Sequence, residues 1–154
     1  QCVRDPDIIQ FDRRAGVFRD EAGVKEKFGV EPESIPDWLA LVGDSADGFP
    51  GLAGWGAKSA AAVLSRYRHI EHIPHSPGQW DISVRGAAKL CETLAAHYDD
   101  AVLFRTLATL VRDVEVGTPA EWRWSGPRAG FAEACARLDV ADVAQRVAGL
   151  AASR

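Results

Sequence analysis

The chain of 154 residues is 47% hydrophobic and 26% charged, with a formal net charge of −4 at pH 7. This composition excludes a disordered chain, and the negative charge excludes a uniformly basic surface for nucleic acid. No apolar run approaches the roughly 20 residues that a membrane-spanning helix needs, so we expect no membrane association. The three cysteines are far apart and odd in number, which argues against a disulfide framework or a zinc cluster. We therefore expect reduced thiols and a cytoplasmic protein.

The charge is unevenly distributed along the chain. Residues 31–47 carry five carboxylates and neither Lys nor Arg, whereas residues 52–72 carry three Lys or Arg side chains and one carboxylate. An acidic segment beside a basic one fits a site that holds metal cations next to phosphates, although ordinary surface variation produces the same pattern. The sequence contains no Met and begins at Gln1. We therefore expect a part of a longer protein whose first portion is missing here.

The amino-terminal part of the chain predicts a β-hairpin followed by a short helix. Residues 7–12 and 17–19 have the composition of two strands joined by a tight turn. Asp20 is placed to cap a helix that has Val24 on its apolar face and that ends at Gly29.

Two amphipathic helices are predicted on either side of a glycine-rich stretch at residues 43–56. Ser34 and Asp37 have the spacing of a capping box, which begins the first helix, and Gly43 ends it. The second helix begins near Ala57. The apolar positions of both helices recur with helical spacing: Ile35, Trp38, Leu39 and Val42 in the first, and Ala60, Val63, Leu64 and Tyr67 in the second.

The rest of the chain predicts further helices. They are expected near residues 83–97, 99–110, 128–138 and 140–152. A loop at residues 74–80 precedes them, and a short extended piece at residues 111–116 divides them. The fold class is therefore mainly α, a helical domain with a small amino-terminal β-hairpin. Residues 1–116 form its main part, and residues 117–154 are expected to be a helical tail packed on the same domain.

A Gly-x-x-Gly-x-Gly loop opens directly onto the second amphipathic helix. Gly51, Gly54 and Gly56 let the backbone turn sharply and let a phosphate approach closely. The first amides of a helix have no intrahelical acceptor and attract anions, and Lys58 adds positive charge there. Such a site binds the phosphate backbone and not base sequence. A nucleotide-binding P-loop is disfavoured because Ala57 stands before Lys58.

Asp44 and Asp47 lie three residues apart where the first amphipathic helix ends. If the backbone stays helical for that turn, both carboxylates face the same side. Mg²⁺ or Mn²⁺ is held by one or two carboxylates together with waters and phosphate oxygens. The alternative is ordinary turn chemistry, which is favoured for an isolated Asp-x-x-Asp.

The glycine loop and the pair Asp44 and Asp47 are together more specific for one family than either is alone. Residues 43–60 run Gly-Asp-x-x-Asp, Pro-Gly, Gly-x-Gly, Lys-Ser-Ala between two helices, and this order resembles the 5′-3′ exonuclease and flap endonuclease family. It is similar to the 5′-nuclease domain fused to bacterial DNA polymerase I, over about residues 1–116. The resemblance implies a helix–hairpin–helix (helix–three-turn–helix) motif that grips duplex DNA, with K⁺ bridging backbone carbonyls to a phosphate. The phosphate-binding residues would be Gly51, Gly54, Gly56, Lys58 and Ser59.

The resemblance also implies that Asp44 and Asp47 help to bind one of two Mg²⁺ or Mn²⁺ ions with which the complete enzyme hydrolyses DNA. The family's other acidic ligands come from an amino-terminal α/β portion that is absent here. We therefore expect an incomplete catalytic set and no activity of this chain alone. The implied partners are duplex DNA with a 5′ flap, nick or end, bound without sequence specificity, and a DNA polymerase in the same pathway.

Several cationic and aromatic side chains have two interpretations. Arg66 and Arg68 follow the hairpin helix, where contact with DNA phosphates and a solvated helix end are equally favoured. Arg85 and Lys89 are expected on one helical face, for which ordinary solvation is favoured over a DNA contact. Trp55 either packs in the hairpin or touches the DNA backbone, and packing is favoured. His69, His72 and His75 are spaced three apart, but Pro74 and the lack of neighbouring ligands disfavour a metal site.

Two rival functions stay open at this point. One is a noncatalytic helix–hairpin–helix module that only docks on DNA, which explains the glycine loop but not Asp44 and Asp47. The other is a structural helical domain that binds a protein partner.

Overall fold

The computed structural model describes residues 1–153 and divides the chain into two compact units, Gln1–Arg112 and Asp113–Arg154. In the described part, the first unit contains β1 (Gln10–Asp12), β2 (Val17–Arg19), α1 (Glu21–Phe28), α2 (Ile35–Val42), α3 (Ala57–Tyr67), α4 (Ala87–Ala96) and α5 (Tyr98–Ala108). The second contains α6 (Phe131–Arg137) and α7 (Ala141–Ala152). The predicted fold class, mainly helical with a small amino-terminal hairpin, is confirmed. None of the helices within residues 1–153 is long and apolar enough to cross a bilayer.

The amino-terminal hairpin is shorter than predicted, and α1 matches its prediction. β1 and β2 pair antiparallel, but the first strand does not extend back to residue 7 because Ile8 pairs with Arg4 in an isolated bridge. The Asp20 side chain accepts a hydrogen bond from the Gly23 N–H at 2.8 Å, and Gly29 ends α1 with φ 74°. The cap and the stop predicted for α1 are therefore confirmed.

The capping box predicted at the start of α2 is wrong. Ser34 has φ −89° and ψ −2°, a helical conformation, whereas an N-cap residue needs extended backbone to bring its side chain over the first amides. Its Oγ is buried and has no hydrogen-bond partner within residues 1–153. The Asp37 carboxylate is 1% exposed and turns into the core, where it accepts hydrogen bonds from the Ile70 N–H at 3.2 Å and Arg105 Nη1 at 3.1 Å. Asp37 is therefore a packing residue and not a cap.

The core of the first unit lies around α2 and α3. α2 packs against α3 and α5, and α4 adds apolar side chains from its own inner face. The largest fully buried apolar side chains are Val30, Leu41, Val63, Leu64 and Ile70. Leu52 and Trp55 of the glycine-rich stretch belong to this core, so the stretch between α2 and α3 is anchored to it.

Helix starts after α3 differ from the predictions. The helix predicted from residue 83 begins at Ala87, because Gly86 has φ 77°, which is outside the helical region. The helix predicted from residue 128 begins at Phe131. Residues 111–116, predicted as a short extended piece, are in neither a helix nor a paired strand. The packing of residues 117–154 on the same domain stays a prediction.

Candidate nucleic-acid interface

Gly43 and Gly51 close the loop between α2 and the hairpin by direct backbone contact. Gly43 ends α2 with φ 87° and ψ 162°, and Gly51 has φ 71°. A Cβ on Gly43 would lie 2.5 Å from the Pro50 oxygen, and a Cβ on Gly51 would lie 2.7 Å from the Val42 oxygen. The Leu52 N–H then donates to the Leu41 oxygen at 2.9 Å. This junction brings together the two ends of the loop at residues 44–50. It lies beside the start of the glycine-rich turn at residues 51–56, which is called the hairpin below.

This loop at residues 44–50, named here the acidic loop, is a tight turn and not a continuation of α2. The Asp44 N–H donates to the Phe49 oxygen at 2.9 Å, and Asp44 Oδ1 accepts the Ala46 N–H at 2.9 Å. The condition for placing both carboxylates on one helical face is therefore not met, since Gly43 takes the chain out of the helix. Asp44 is half-buried, and Asp47 is exposed.

The acidic loop offers a partial donor set for a metal ion. Two carboxylates within one short turn are the donor type that Mg²⁺ and Mn²⁺ prefer, and Asp44 already commits Oδ1 to the turn. Within residues 1–153 there is no group of three or more His, Cys, Asp or Glu side chains that could hold a metal ion. Asp44 and Asp47 therefore do not form a closed metal centre among the described residues, and metal binding at the acidic loop stays a prediction. His69 does not join the acidic loop. Its Nδ1 lies 2.9 Å from Asp37 Oδ2, in a hydrogen bond with the buried carboxylate.

Trp55 anchors the hairpin to the core, which confirms its predicted packing role. Its side chain is buried, and the indole N–H donates to the Leu90 oxygen at 3.2 Å. Its ring also contacts Trp80, with centroids 6.4 Å apart. The Trp55 backbone N–H donates to the Leu52 oxygen at 3.1 Å, which tightens the turn and leaves Gly54 at its exposed tip with φ 83°.

The start of α3 combines a satisfied cap with free cationic and amide groups. The Ser59 hydroxyl oxygen accepts the Gly56 N–H at 3.0 Å and donates back to the Gly56 oxygen, so this predicted phosphate-binding side chain also caps the helix. The first intrahelical bond runs from the Ala60 N–H to the Gly56 oxygen, which leaves the Ala57 and Lys58 amides without an intrahelical acceptor. The Lys58 side chain is exposed and has no ion-pair partner among the described residues.

An open groove runs beside the hairpin. Gly54, Gly56 and Lys58 line it from the hairpin and α3, while Val84 and Arg85 line it from the loop before α4. Arg85 is predicted to lie on a helical face, with ordinary solvation favoured. The predicted helical position is wrong, because the helix begins only after Gly86. The glycine directly after Arg85 was the local signal that the residue lies in a loop.

Arg66 and Arg68 do not line this groove, and each has a carboxylate partner. Arg66 donates to Asp81 Oδ2 from Nε at 2.8 Å and from Nη2 at 2.5 Å, and Arg68 Nη1 lies 2.7 Å from Glu33 Oε1. The hydrogen bond from Arg66 is the main cause of a lowered pKa of Asp81. Contact of either arginine with DNA stays a prediction.

Residues 30–129 match the family model described as 5′-3′ exonuclease, C-terminal SAM fold. The chain is 35% identical, over 79% of its length, to DNA polymerase I of Pseudomonas aeruginosa. It is 53% identical over 37% of its length to a 5′-3′ exonuclease of Aquifex aeolicus, and 40% identical over 58% to Flap endonuclease Xni of Shewanella amazonensis.

The chain spans 14%, 19% and 35% of those three proteins, respectively. The family-model match covers more than half of the chain and includes the acidic loop, the hairpin and the groove. The family that the motif resembles is therefore confirmed, and the chain belongs to the 5′-3′ exonuclease family as its C-terminal SAM-fold domain.

Proposed function

We propose that this chain is the DNA-gripping part of a structure-specific 5′-3′ nuclease that hydrolyses DNA phosphodiesters. The observation that carries the proposal is the open groove at the start of α3, where free amides and the exposed Lys58 side chain stand beside glycines that leave room for a phosphate. The names of the relatives, which include a 5′-3′ exonuclease and a flap endonuclease, support DNA as the substrate. A cytoplasmic location and a DNA polymerase in the same pathway accord with this function.

The groove binds the sugar–phosphate backbone without reading bases. The Ala57 and Lys58 amides and the positive end of the α3 dipole attract a phosphate oxygen, and the Lys58 ammonium adds a charge-assisted hydrogen bond. Cβ atoms at Gly54 and Gly56 would meet nothing within 4 Å, so the space above them is open to a ligand. K⁺ is proposed to bridge hairpin carbonyls to a phosphate. Binding is therefore independent of sequence and falls steeply with salt.

The acidic loop supplies part of a two-ion site in the complete protein. Asp44 and Asp47 would hold Mg²⁺ or Mn²⁺ together with waters, phosphate oxygens and carboxylates from another portion of the protein. Such ions activate water and stabilise the leaving oxygen in phosphodiester hydrolysis. The contact of Gly43 with Gly51 holds the acidic loop next to the start of the hairpin, which supports a shared DNA substrate for the two. This chain alone has too few ligands and is expected not to cleave DNA.

DNA binding is tested by fluorescence anisotropy with the 154-residue chain and a labelled nicked duplex over a series of KCl concentrations. We expect Lys58→Gln to weaken binding about fivefold and to reduce the slope of log affinity against log salt by about 0.9, the value for one lost phosphate contact. The matched control is Lys89→Gln, which removes the same charge from an exposed site on α4 that does not line the groove. Equal affinities of all three proteins would favour a domain that binds a protein partner and would overturn the proposal.

The metal site is tested in the full-length protein, by cleavage of a 5′-flap substrate during a Mn²⁺ titration. We expect Asp47→Asn to reduce cleavage strongly and to shift the Mn²⁺ dependence to higher concentration, while DNA affinity without metal is unchanged. Cleavage that is insensitive to both Asp44→Asn and Asp47→Asn would favour a noncatalytic docking role for this domain. Cleavage by the 154-residue chain alone would contradict the incomplete site.

A further inference from the structure

We infer that Arg85 is a second phosphate contact of the groove, so that the groove holds a length of one DNA strand and not a single phosphate. This inference rests on the proposed function and extends it. It adds a cation from the loop before α4 to the one supplied by α3. The two cations come from segments 27 residues apart in sequence, and the fold brings both to one groove.

The Arg85 side chain is free to bind a ligand. Arg66 and Arg68 are paired with carboxylates, whereas exposed Arg85 has no ion pair or hydrogen-bond partner among residues 1–153. An arginine that is already paired gives up an existing interaction when it binds a phosphate. Arg85 and Lys58 lose only solvation when they bind a phosphate, and both of them line the groove.

The charged side chains that line the groove are all positive. Its described lining includes the cations Lys58 and Arg85 and contains neither Asp nor Glu. The chain as a whole has a net charge of −4, so a groove that excludes carboxylates is a local reversal of the overall charge. A cleft lined by one sign of charge concentrates the opposite ion, which here is a polyanion.

The groove is lined by small and apolar residues as well as by the two cations. Ala62 and Val84 give the groove apolar contacts, and Gly54 leaves its rim without a side chain. A strand of DNA presents phosphates alternating with the C–H surfaces of deoxyribose. Cations for the phosphates and small apolar side chains for the sugars therefore match a backbone that runs along the groove. A free phosphate ion would use only one part of this lining.

The test extends the salt series on the nicked duplex to Arg85→Gln, Arg85→Lys and the double variant Lys58→Gln with Arg85→Gln. We expect Arg85→Gln to weaken binding about tenfold and to lower the salt slope by about 0.9. The double variant should lower the slope by about twice that amount, since two separate phosphate contacts are lost. Arg85→Lys keeps the charge and should keep the slope. Lys89→Gln is again the matched control, since it removes one positive charge four residues from Arg85 at a site that does not line the groove.

The outcomes separate the inference from the proposed function. If Lys58→Gln weakens binding but Arg85→Gln behaves like Lys89→Gln, the inference about Arg85 is overturned and the proposed function stands. If neither Lys58→Gln nor Arg85→Gln changes the affinity, or the unmodified chain binds no duplex, both are overturned. Circular dichroism of each variant checks that the fold is intact, and Arg85→Lys gives a conservative comparison at the same position.

Discussion

Four of the five glycines between α2 and α3 divide into two kinds, those at the packed junction and those at the open groove; the fifth, Gly48, lies in the acidic loop. At Gly43 and Gly51 a Cβ would collide with neighbouring backbone, whereas at Gly54 and Gly56 it would meet nothing within 4 Å. The same residue type therefore serves two purposes only a few residues apart. The first pair is required by backbone packing, whereas the second pair borders open space in the groove where we propose that a phosphate binds.

The acidic residues of the same region divide in the same way. Asp37 is buried and bonded to Ile70 and Arg105, whereas Asp44 is half-buried in the acidic loop and Asp47 is exposed. A cluster of carboxylates in the sequence thus contains one residue that packs in the core and two in the acidic loop, for which metal binding is proposed. Substitutions in each class should separate loss of stability from loss of binding.

The largest loss of stability is expected for Gly51→Ala. The substitution places a side chain in a left-handed conformation and against the Val42 backbone, so we expect the free energy of unfolding to fall by about 3 kcal/mol or more. Urea unfolding followed by circular dichroism measures the loss. The matched control is Gly16→Ala in the turn between β1 and β2. Gly16 has φ 67° and open space around it, so the free energy of unfolding should fall by only about 1 kcal/mol. Equal losses at the two sites would show that the junction is not tightly packed.

The next largest loss is expected for Asp37→Asn. The change removes the charge that faces Arg105 and His69 in a buried position, and we expect a loss of about 2 kcal/mol in the free energy of unfolding. Asp47→Asn, at an exposed site in the acidic loop, should change stability by less than about 0.5 kcal/mol. If the two variants were equally stable, the division between packed and open carboxylates would be wrong.

A smaller, pH-dependent contribution is expected from Glu71, which is paired with Arg105 at the edge of the packed region. Burial opposes ionisation of this carboxyl, but its hydrogen bonds and the Arg105 charge outweigh that effect and lower its pKa. A lowered folded pKa stabilises the fold above the unfolded pKa of about 4.3, and the contribution disappears as the pH falls through the folded pKa.

We therefore expect the unmodified chain to lose more stability than Glu71→Gln between about pH 5 and pH 3. The difference should be below about 1 kcal/mol, because the Glu71 side chain is 46% exposed and solvent screens the pair. Urea unfolding at several pH values measures it. Parallel pH profiles of the two proteins would mean that the pair with Arg105 does not contribute.

Much of the fold was predictable because its signals are local. The spacing of apolar residues located α2 and α3, and the cap at Asp20 and the stop at Gly29 were correct, since each depends on residues within one or two turns. The motif between α2 and α3 also predicted the family correctly. Local chemistry was therefore enough to predict most of the helices and the family.

The remaining features depend on contacts between distant residues, which spacing cannot reveal. Asp37 fits a capping box by sequence, but its partner Arg105 lies 68 residues away and determines where the carboxylate points. Whether a glycine is packed or open depends on what the fold places next to it, as at Gly51. Arg85 was assigned to a helix because its neighbours have helical spacing, and the conformation of Gly86 moves it to the groove instead.

The smallest effect on stability, with a large effect on binding, is expected for Gly56→Ala. Gly56 has φ −150° and ψ 173°, which any residue adopts, and an added Cβ meets nothing within 4 Å. Alanine is a poorer N-cap than glycine, but it also restricts the unfolded chain, and these opposing effects should leave the free energy of unfolding within about 0.5 kcal/mol. The new methyl group would nevertheless stand in the groove where a phosphate is expected to approach the Ala57 and Lys58 amides. Anisotropy on the nicked duplex should therefore show a marked loss of affinity in a protein that unfolds at the same urea concentration as the unmodified chain. Unchanged affinity would mean that DNA does not approach the backbone at Gly56, and the open glycines would then need another explanation.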